Sequence, residues 1–327
     1  MKFTRRLHAC ILSASMGWFL ALLATASAAA YPEKPIKVVL GFAAGGGSDI
    51  FLRAIAPAIG EALGQQMVVE NRPGAGGNLA MMAVAQSAPD GYTLLMGTPG
   101  LATNPSLYAN LGFDPLRDFA PISLVGSVQN VLIVKPSLPV NSVAELVNYA
   151  KANPGKLNYS SPGSGTSLHL AGELFKSMAG INMVHVPYKG GAQALNDVMS
   201  GQVDLMFNVL PSALPQIKAG KVNALAVTGV QRADSLVDKP TMIEAGITGY
   251  SAITWNGILA PKGTPRDIVL KLNEVIVRVL RTPEMRQRLA VLGQDVLLST
   301  PDEFGVFLRE ESVKWRRTIE AAGVKLE

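Results

Sequence analysis

Cysteine is nearly absent from this chain. The one thiol, Cys10, falls in an N-terminal stretch that reads as a leader. Beyond it no disulfide and no thiolate-ligated zinc or iron–sulfur site can form. A chain of 327 residues can bury a sizeable core without such staples. Histidine is scarce too: of three in the chain, only His169 and His185 lie beyond the leader. Neither belongs to an H-E-x-x-H pattern or to a carboxylate cluster, so no metal site is expected. No G-x-S-x-G elbow occurs, which removes one familiar hydrolase signature. Charged residues make up 16% of the chain, and no run of Lys and Arg follows the leader. A nucleic-acid partner needs a basic stripe, so the composition argues against one. After the leader nothing reaches the ~18 consecutive apolar residues of a membrane span, and the remainder is expected to be soluble.

The leader itself has a recognisable order. Lys2, Arg5 and Arg6 precede an apolar core from Ile11 to Leu23, and small-x-small steps follow at Ala26-Ser27-Ala28 and Ala28-Ala29-Ala30. That order is a secretory signal peptide over residues 1–30, and the apolar stretch is short for the competing reading, an anchor helix. Leu7-His8-Ala9-Cys10 is no lipoprotein box, because the apolar core follows the cysteine. Arg5-Arg6 hints at twin-arginine export, yet His8 and Ala9 stand where apolar residues belong, which favours the ordinary route. Taking the three leader cations from the net charge of +5 leaves +2 for an exported, periplasmic chain.

The exported part alternates short apolar runs with helical patterns. Ile36 to Leu40, Met67 to Glu70 and Thr93 to Met96 read as strands, each followed by a glycine-bearing loop; helical patterns follow the first two. The rhythm restarts at Val131 to Val134, and Ser142-Val143-Ala144-Glu145 fits a capping box. Pro265, Pro283 and Pro301 mark helix starts in a helical C-terminal part. The alternation predicts an α/β fold with mostly parallel sheet. Removing 30 of 327 residues leaves 297, a natural length for two lobes. We place lobe 1 at 31–131 plus 253–327 and lobe 2 at 132–252, with two chain crossings as a hinge and a ligand cleft between them.

Three loops carry the candidate chemistry. Gly41 to Asp49 links a strand to a helix, and its glycines leave backbone N–H groups free at the helix start, a seat for an anion. Ser48 can cap that helix or reach the ligand; Asp49 suits the first helical turn as a structural acid as well as a ligand contact. The loop is neither a P-loop, since Gly47 replaces the lysine, nor a dinucleotide fingerprint, since Ile50 replaces the third glycine. Asn71 to Asn78 is a second glycine-rich helix start, where Arg72 pairs with Glu70 or meets a carboxylate. Ser160 to Ser167 supplies hydroxyls and backbone donors from the other lobe. His169, near the start of the next helix, reads equally as ligand contact, cap or packed side chain, and His185 reads as structural. Two such helix starts facing one cleft would clamp a carboxylate with neutral dipoles.

Together these stretches resemble the Bug-type (TctC-like) solute receptors of tripartite tricarboxylate transport systems. The resemblance is carried by Tyr31 to Ile36, the Gly41–Asp49 loop, Val68 to Asn78, Asp90 to Leu94, Tyr159 to Thr166, Val186 to Gly190, Gly201 to Phe207 and Leu225 to Thr228, in order along the chain. It implies a two-lobed, type II-like periplasmic binding fold, no cofactor and no catalysis. A small carboxylate would be its ligand and membrane permease subunits its partners; we expect the receptor to be a monomer. It places Ala43, Ala44, Gly46, Gly47, Ser48 and Asp49 on one side of the ligand and Ser164, Thr166, Ser167 and His169 on the other. Asn78, Thr98 and Asn208 would lie near the same cleft. Asn208 departs from the acid of many relatives, which favours a plain carboxylate over an amino acid. An exported enzyme for a carboxylated metabolite and a sensor for a membrane signalling partner are the competing readings.

Overall fold

The computed structural model describes residues 31–188 and 190–326; the expected leader lies outside them. The chain opens with β1 (Ile36–Leu40), α1 (Gly47–Leu63), β2 (Met67–Asn71), α2 (Asn78–Ala85), β3 (Thr93–Gly97) and α3 (Gly100–Leu107). Next come the long β4 (Phe119–Val128) and β5 (Asn130–Val134), separated by Gln129 alone. Then follow α4 (Val143–Ala152), β6 (Asn158–Ser161), α5 (Ser167–Ala179), β7 (Val184–Pro187), α6 (Gly191–Met199), β8 (Leu205–Val209), α7 (Leu210–Lys218) and β9 (Asn223–Val227). The chain returns through β10 (Thr254–Pro261) and ends in α8 (Arg266–Leu280), α9 (Pro283–Val291) and α10 (Pro301–Ala322).

Two five-stranded sheets result, ordered β2-β1-β3-β10-β4 and β7-β6-β8-β5-β9. Both are mixed. β1, β2 and β3 run parallel, as do β6, β7 and β8, while β10 and β4 in one sheet and β5 and β9 in the other pair antiparallel. The parallel core expected from the strand–loop–helix rhythm is thus three strands wide in each lobe. The antiparallel members include the strands on either side of the crossings between sheets.

The central strands of each sheet are covered on both faces, which is why β1, β3, β5 and β8 are mostly apolar, while the edge strands β2 and β7 are partly exposed. Ile36, Val38 and Leu40 of β1 pack under Phe51, Ile55 and Ile59 of α1, while Val39 faces a second cluster with Met81, Phe304 and Leu308. Pro57 sits on the exposed face of α1, so the helix runs through it without opening the core. In the second lobe Tyr159, Phe175 and Phe207 form one core; Val131, Met206 and Val198 form the other.

α10 serves both lobes. Phe304 and Leu308, in its first half, belong to a core of the first sheet. Trp315 and Ile319, in its second half, belong to the main core of the second. Between them Glu311 is buried, and its Oε2 accepts from Trp315 Nε1 at 2.8 Å and from Trp255 Nε1 of β10 at 3.3 Å. Lys314 binds the other carboxylate oxygen and also donates to the Ser251 carbonyl at 3.1 Å, on the returning crossing. Beyond the helix, the Leu326 amide donates to the Leu107 carbonyl at 2.8 Å.

Candidate functional site

In an open α/β sheet, ligands bind outside the carboxyl ends of the strands, where the strand order reverses direction. In the first lobe the order β2-β1-β3 reverses between β1 and β3. The loops leaving those strands are 41–46 and the turn at Thr98. In the second lobe β7-β6-β8 reverses between β6 and β8, which selects the 162–166 loop and the end of β8 at Asn208. Topology therefore brings every candidate except Asn78 to a switch point, and Asn78 opens the helix after the adjacent β2. The lobes meet on this side: a β-carbon on Gly165 would lie 3.3 Å from Leu107 Cδ1 of α3.

Helix caps divide in the same way. Side chains cap α4 through Ser142, α9 through Thr282 and α10 through Thr300, all away from the switch points. No side chain caps α1, α2, α3, α6 or α7, each of which starts at the carboxyl end of a strand. Orphan N–H groups at a helix start need some partner, and here solvent or ligand is left to supply it. Ala43 to Gly47 are exposed and Ser48 is half-buried, so the α1 start is open to solvent. The division has two exceptions: α5 is capped, with Thr166 Oγ1 accepting from the His169 amide at 3.3 Å, and α8, away from the switch points, has no side-chain cap.

Asp49 does not face the opening. It is 2% exposed, and its carboxylate is consumed inside the loop. Oδ2 accepts from the Gly45 amide at 2.9 Å, Arg53 Nε reaches both oxygens at 3.0 Å, and Asn71 Nδ2 reaches Oδ1 at 2.9 Å. Asn71 also donates to the Phe42 carbonyl at 3.0 Å and accepts from Arg53 Nη2 at 2.8 Å. Burial by itself would raise the Asp49 carboxyl, but the hydrogen bonds from Arg53, Gly45 and Asn71 bring it below its ordinary value. Its contribution to stability is then fully present above the unfolded value of 3.8 and is lost as pH falls through the lower folded one. Asp49→Asn is expected to cost about 1–2 kcal/mol near neutrality, because Arg53 is half exposed. In urea unfolding the gap from the native protein should narrow below pH 4; a gap that is constant with pH would contradict this role.

The remaining candidates sit as follows. Asn78 is buried, and its Oδ1 accepts from Asn104 Nδ2 at 2.7 Å; that amide also holds the Gly76 carbonyl at 3.1 Å. Thr98 is buried at the start of the turn into α3. Ser164 is exposed, and Thr166 and Ser167 are half-buried, with Thr166 Oγ1 donating to the Gly163 carbonyl at 2.7 Å. His169 is 3% exposed and faces into the lobe. Asn208 Oδ1 accepts from the Val209 amide at 2.9 Å, and its Nδ2 is enclosed without a partner among the described residues. Arg72 pairs with Glu70, which Lys37 also holds at 2.8 Å. Sequence reasoning missed Arg53, Asn71 and Asn104. The i,i+4 spacing of Asp49 and Arg53 on one helix was a usable signal; nothing local marks Asn104. Among the described residues no three His, Cys, Asp or Glu side chains gather as a metal site, and no helix is long and apolar enough to cross a membrane. A groove of about 570 Å³ along α10 and α5, lined by Leu174, Met178, Val313 and Arg317, contains neither loop.

The sequence pattern of TctC, the tripartite tricarboxylate transporter family receptor, matches residues 51–324. The chain belongs to this receptor family. Protein BugT of Bordetella pertussis is 35% identical over 321 residues, covering 97% of this chain and 98% of that protein. Rpa4515 of R. palustris, solved with adipate, shares 38% identity at a TM-score of 0.77, covering 90% of this chain and 100% of that one. MatC from Rhodopseudomonas palustris, solved with bound malate, shares 32% identity at a TM-score of 0.73, covering 88% and 100%. With the two-lobed fold, these likenesses make the receptor an extracytoplasmic solute-binding protein of a tripartite tricarboxylate-type system rather than an enzyme.

Proposed function

We propose that the receptor captures a small carboxylate between the α1 start and the 162–167 loop, and hands it to the membrane permease subunits of a tripartite transporter. The observation that carries this reading is the uncapped, solvent-open start of α1 at the switch point of the first sheet. The Gly47 and Ser48 amides have no intramolecular acceptor among the described residues, and the positive helix end favours an anion by about 0.3–1 kcal/mol, more when partly buried. Ser164 and Ser167 supply the opposing donors, with Thr166 shaping their loop and Asn78, Thr98 and Asn208 beneath. Asp49, Arg53 and Asn71 satisfy one another, so the clamp works by neutral dipoles. Adipate and malate in two relatives support a dicarboxylate of four to six carbons. The amide at Asn208, lacking charge, offers nothing to select an ammonium group.

The test uses residues 31–327, unfolded and refolded to strip carried-over ligand. Thermal melts are recorded against adipate, malate, tricarboxylates and aromatic acids. An acid at 100 times its dissociation constant should add about 2.7 kcal/mol of stability, an easily read rise in Tm. A flat response across the panel from folded protein would reject the carboxylate clamp. Uptake of the same acid, lost on deletion of the receptor gene, tests delivery to the permease.

A further inference from the structure

Both histidines beyond the leader lie beneath one loop. His169 of α5 and His185 of β7 stack with ring centroids 3.8 Å apart and planes inclined by 23°. Tyr159 of β6 covers the stack, its ring 4.9 Å from that of His185. Its hydroxyl bonds to buried Glu173, which Lys176 neutralises at 2.8 Å.

The two imidazoles hold opposite ends of the loop after β6. At one end the Gly165 amide donates to His169 Nδ1 at 3.0 Å. At the other, His185 Nε2 lies 2.7 Å from Ser161 Oγ. Ser161 in turn donates to the Gly163 carbonyl at 3.0 Å and accepts from the Gly163 amide at 3.2 Å. The direction of the Ser161–His185 bond follows the tautomer of His185. His169 accepts at Nδ1, so its proton is on Nε2. The surroundings keep both rings neutral. Burial first, then His185 and Lys176, push His169 down to about 3. Burial takes His185 to about 4, with Lys176 assisting against Glu173. Gly165 adopts φ +76°, where a side chain would be strained, and a β-carbon there would lie 2.6 Å from Leu326 Cδ1 and have to displace it. In that shape the Ser164 and Ser167 amides take no intramolecular partner among the described residues.

We propose that His169 is a positioning residue of the ligand site: backed by the His185 ring, it holds the Gly165 amide and so presets the 161–167 loop, leaving the Ser164 and Ser167 donors free, without touching the ligand itself. This rests on the cleft reading given above. Gly-Ser loops are otherwise adaptable, and a loop ordered in advance lowers the ordering cost of binding.

Two substitutions separate ring from acceptor. His169→Phe keeps the stack and loses the acceptor; His169→Asn loses the ring but places Oδ1 where Nδ1 stood. Affinity is measured by calorimetry with adipate or malate, whichever stabilises the native protein, beside melts without ligand. His169→Phe should bind at least about 10-fold more weakly, and His169→Asn within about 3-fold of native. Native affinity in the Phe variant would overturn the proposal, as would equal weakness of both variants with undiminished melts. NMR on the ligand-free native protein gives an independent readout. A coupling across the hydrogen bond from the Gly165 amide to His169 Nδ1, with slow amide exchange, is expected. Its absence would overturn the proposal even if the variants fail to fold. Failure of every acid to bind the native protein would count against the cleft reading, while the NMR result would still decide the loop's shape.

Discussion

Replacing Gly47 with aspartate is expected to weaken ligand binding by about 100-fold or more while leaving the ligand-free receptor at least as stable as the native protein. Gly47 is the first residue of α1, and no atom lies within 4 Å of the place its β-carbon would take. The substitution therefore fits without displacing backbone. An acid in the first helical turn stabilises a helix by about 0.3–1 kcal/mol, so the unliganded melt should hold or rise. The same charge would confront the bound carboxylate. Two unit charges 4 Å apart near a protein surface repel by about 4 kcal/mol, and each 1.4 kcal/mol is tenfold in affinity. Opposite signs for stability and binding make the result hard to imitate by general damage. Gly47→Ala is the control and should change affinity little. Calorimetric titration beside a melt reads both effects. Unchanged affinity in the aspartate variant would mean that the ligand's charge does not rest on α1.

Glu311→Leu should cost about 3 kcal/mol of stability in urea unfolding. The leucine abandons Lys314 and leaves the indole N–H groups of Trp255 and Trp315 inside the protein without acceptors. Breaking a buried ion pair by removing one partner costs about 3–5 kcal/mol, and the quarter-exposed Lys314 argues for the lower end. Glu311→Gln keeps an oxygen for the indoles and should cost about half as much. A loss under about 1 kcal/mol for the leucine variant would show that the carboxylate does not fasten α10 to the crossing.

The helices and parallel strands were legible because local signals agreed with the fold. Proline opens α9 and α10, and Thr300 and Glu303 complete a capping box at the start of the latter. Ser142 caps α4 as its pattern suggested, although the Glu145 carboxylate returns to the Asn141 amide one residue before the cap. β4, β10 and α3 were not legible. β4 contains Pro121 and Gly126, and β10 carries Gly257 and ends in Pro261, so neither shows the alternation that marks a strand. Gly257 is there because Phe304 lies where its β-carbon would be. α3 starts with Gly100 and contains Pro105, against all helix propensity, and is held by packing against α10. At the candidate site, the glycine loops were visible and their inner ties were not. Asp49 was weighed as a first-turn acid, yet Asn71 is 22 residues away in sequence. The stacking of His169 on His185 depends on β7 lying beside β6, which no local pattern encodes.

The division of α10 between two cores also orders the receptor's synthesis. The second sheet is encoded by residues 130–227, but its main core closes only with Trp315 and Ile319. The first sheet lacks an interior strand until β10 has been made. A chain emerging from its N-terminus therefore cannot complete either lobe early: the first waits for Phe304 and Leu308 in the first half of α10, and the second for Trp315 and Ile319 in its second half.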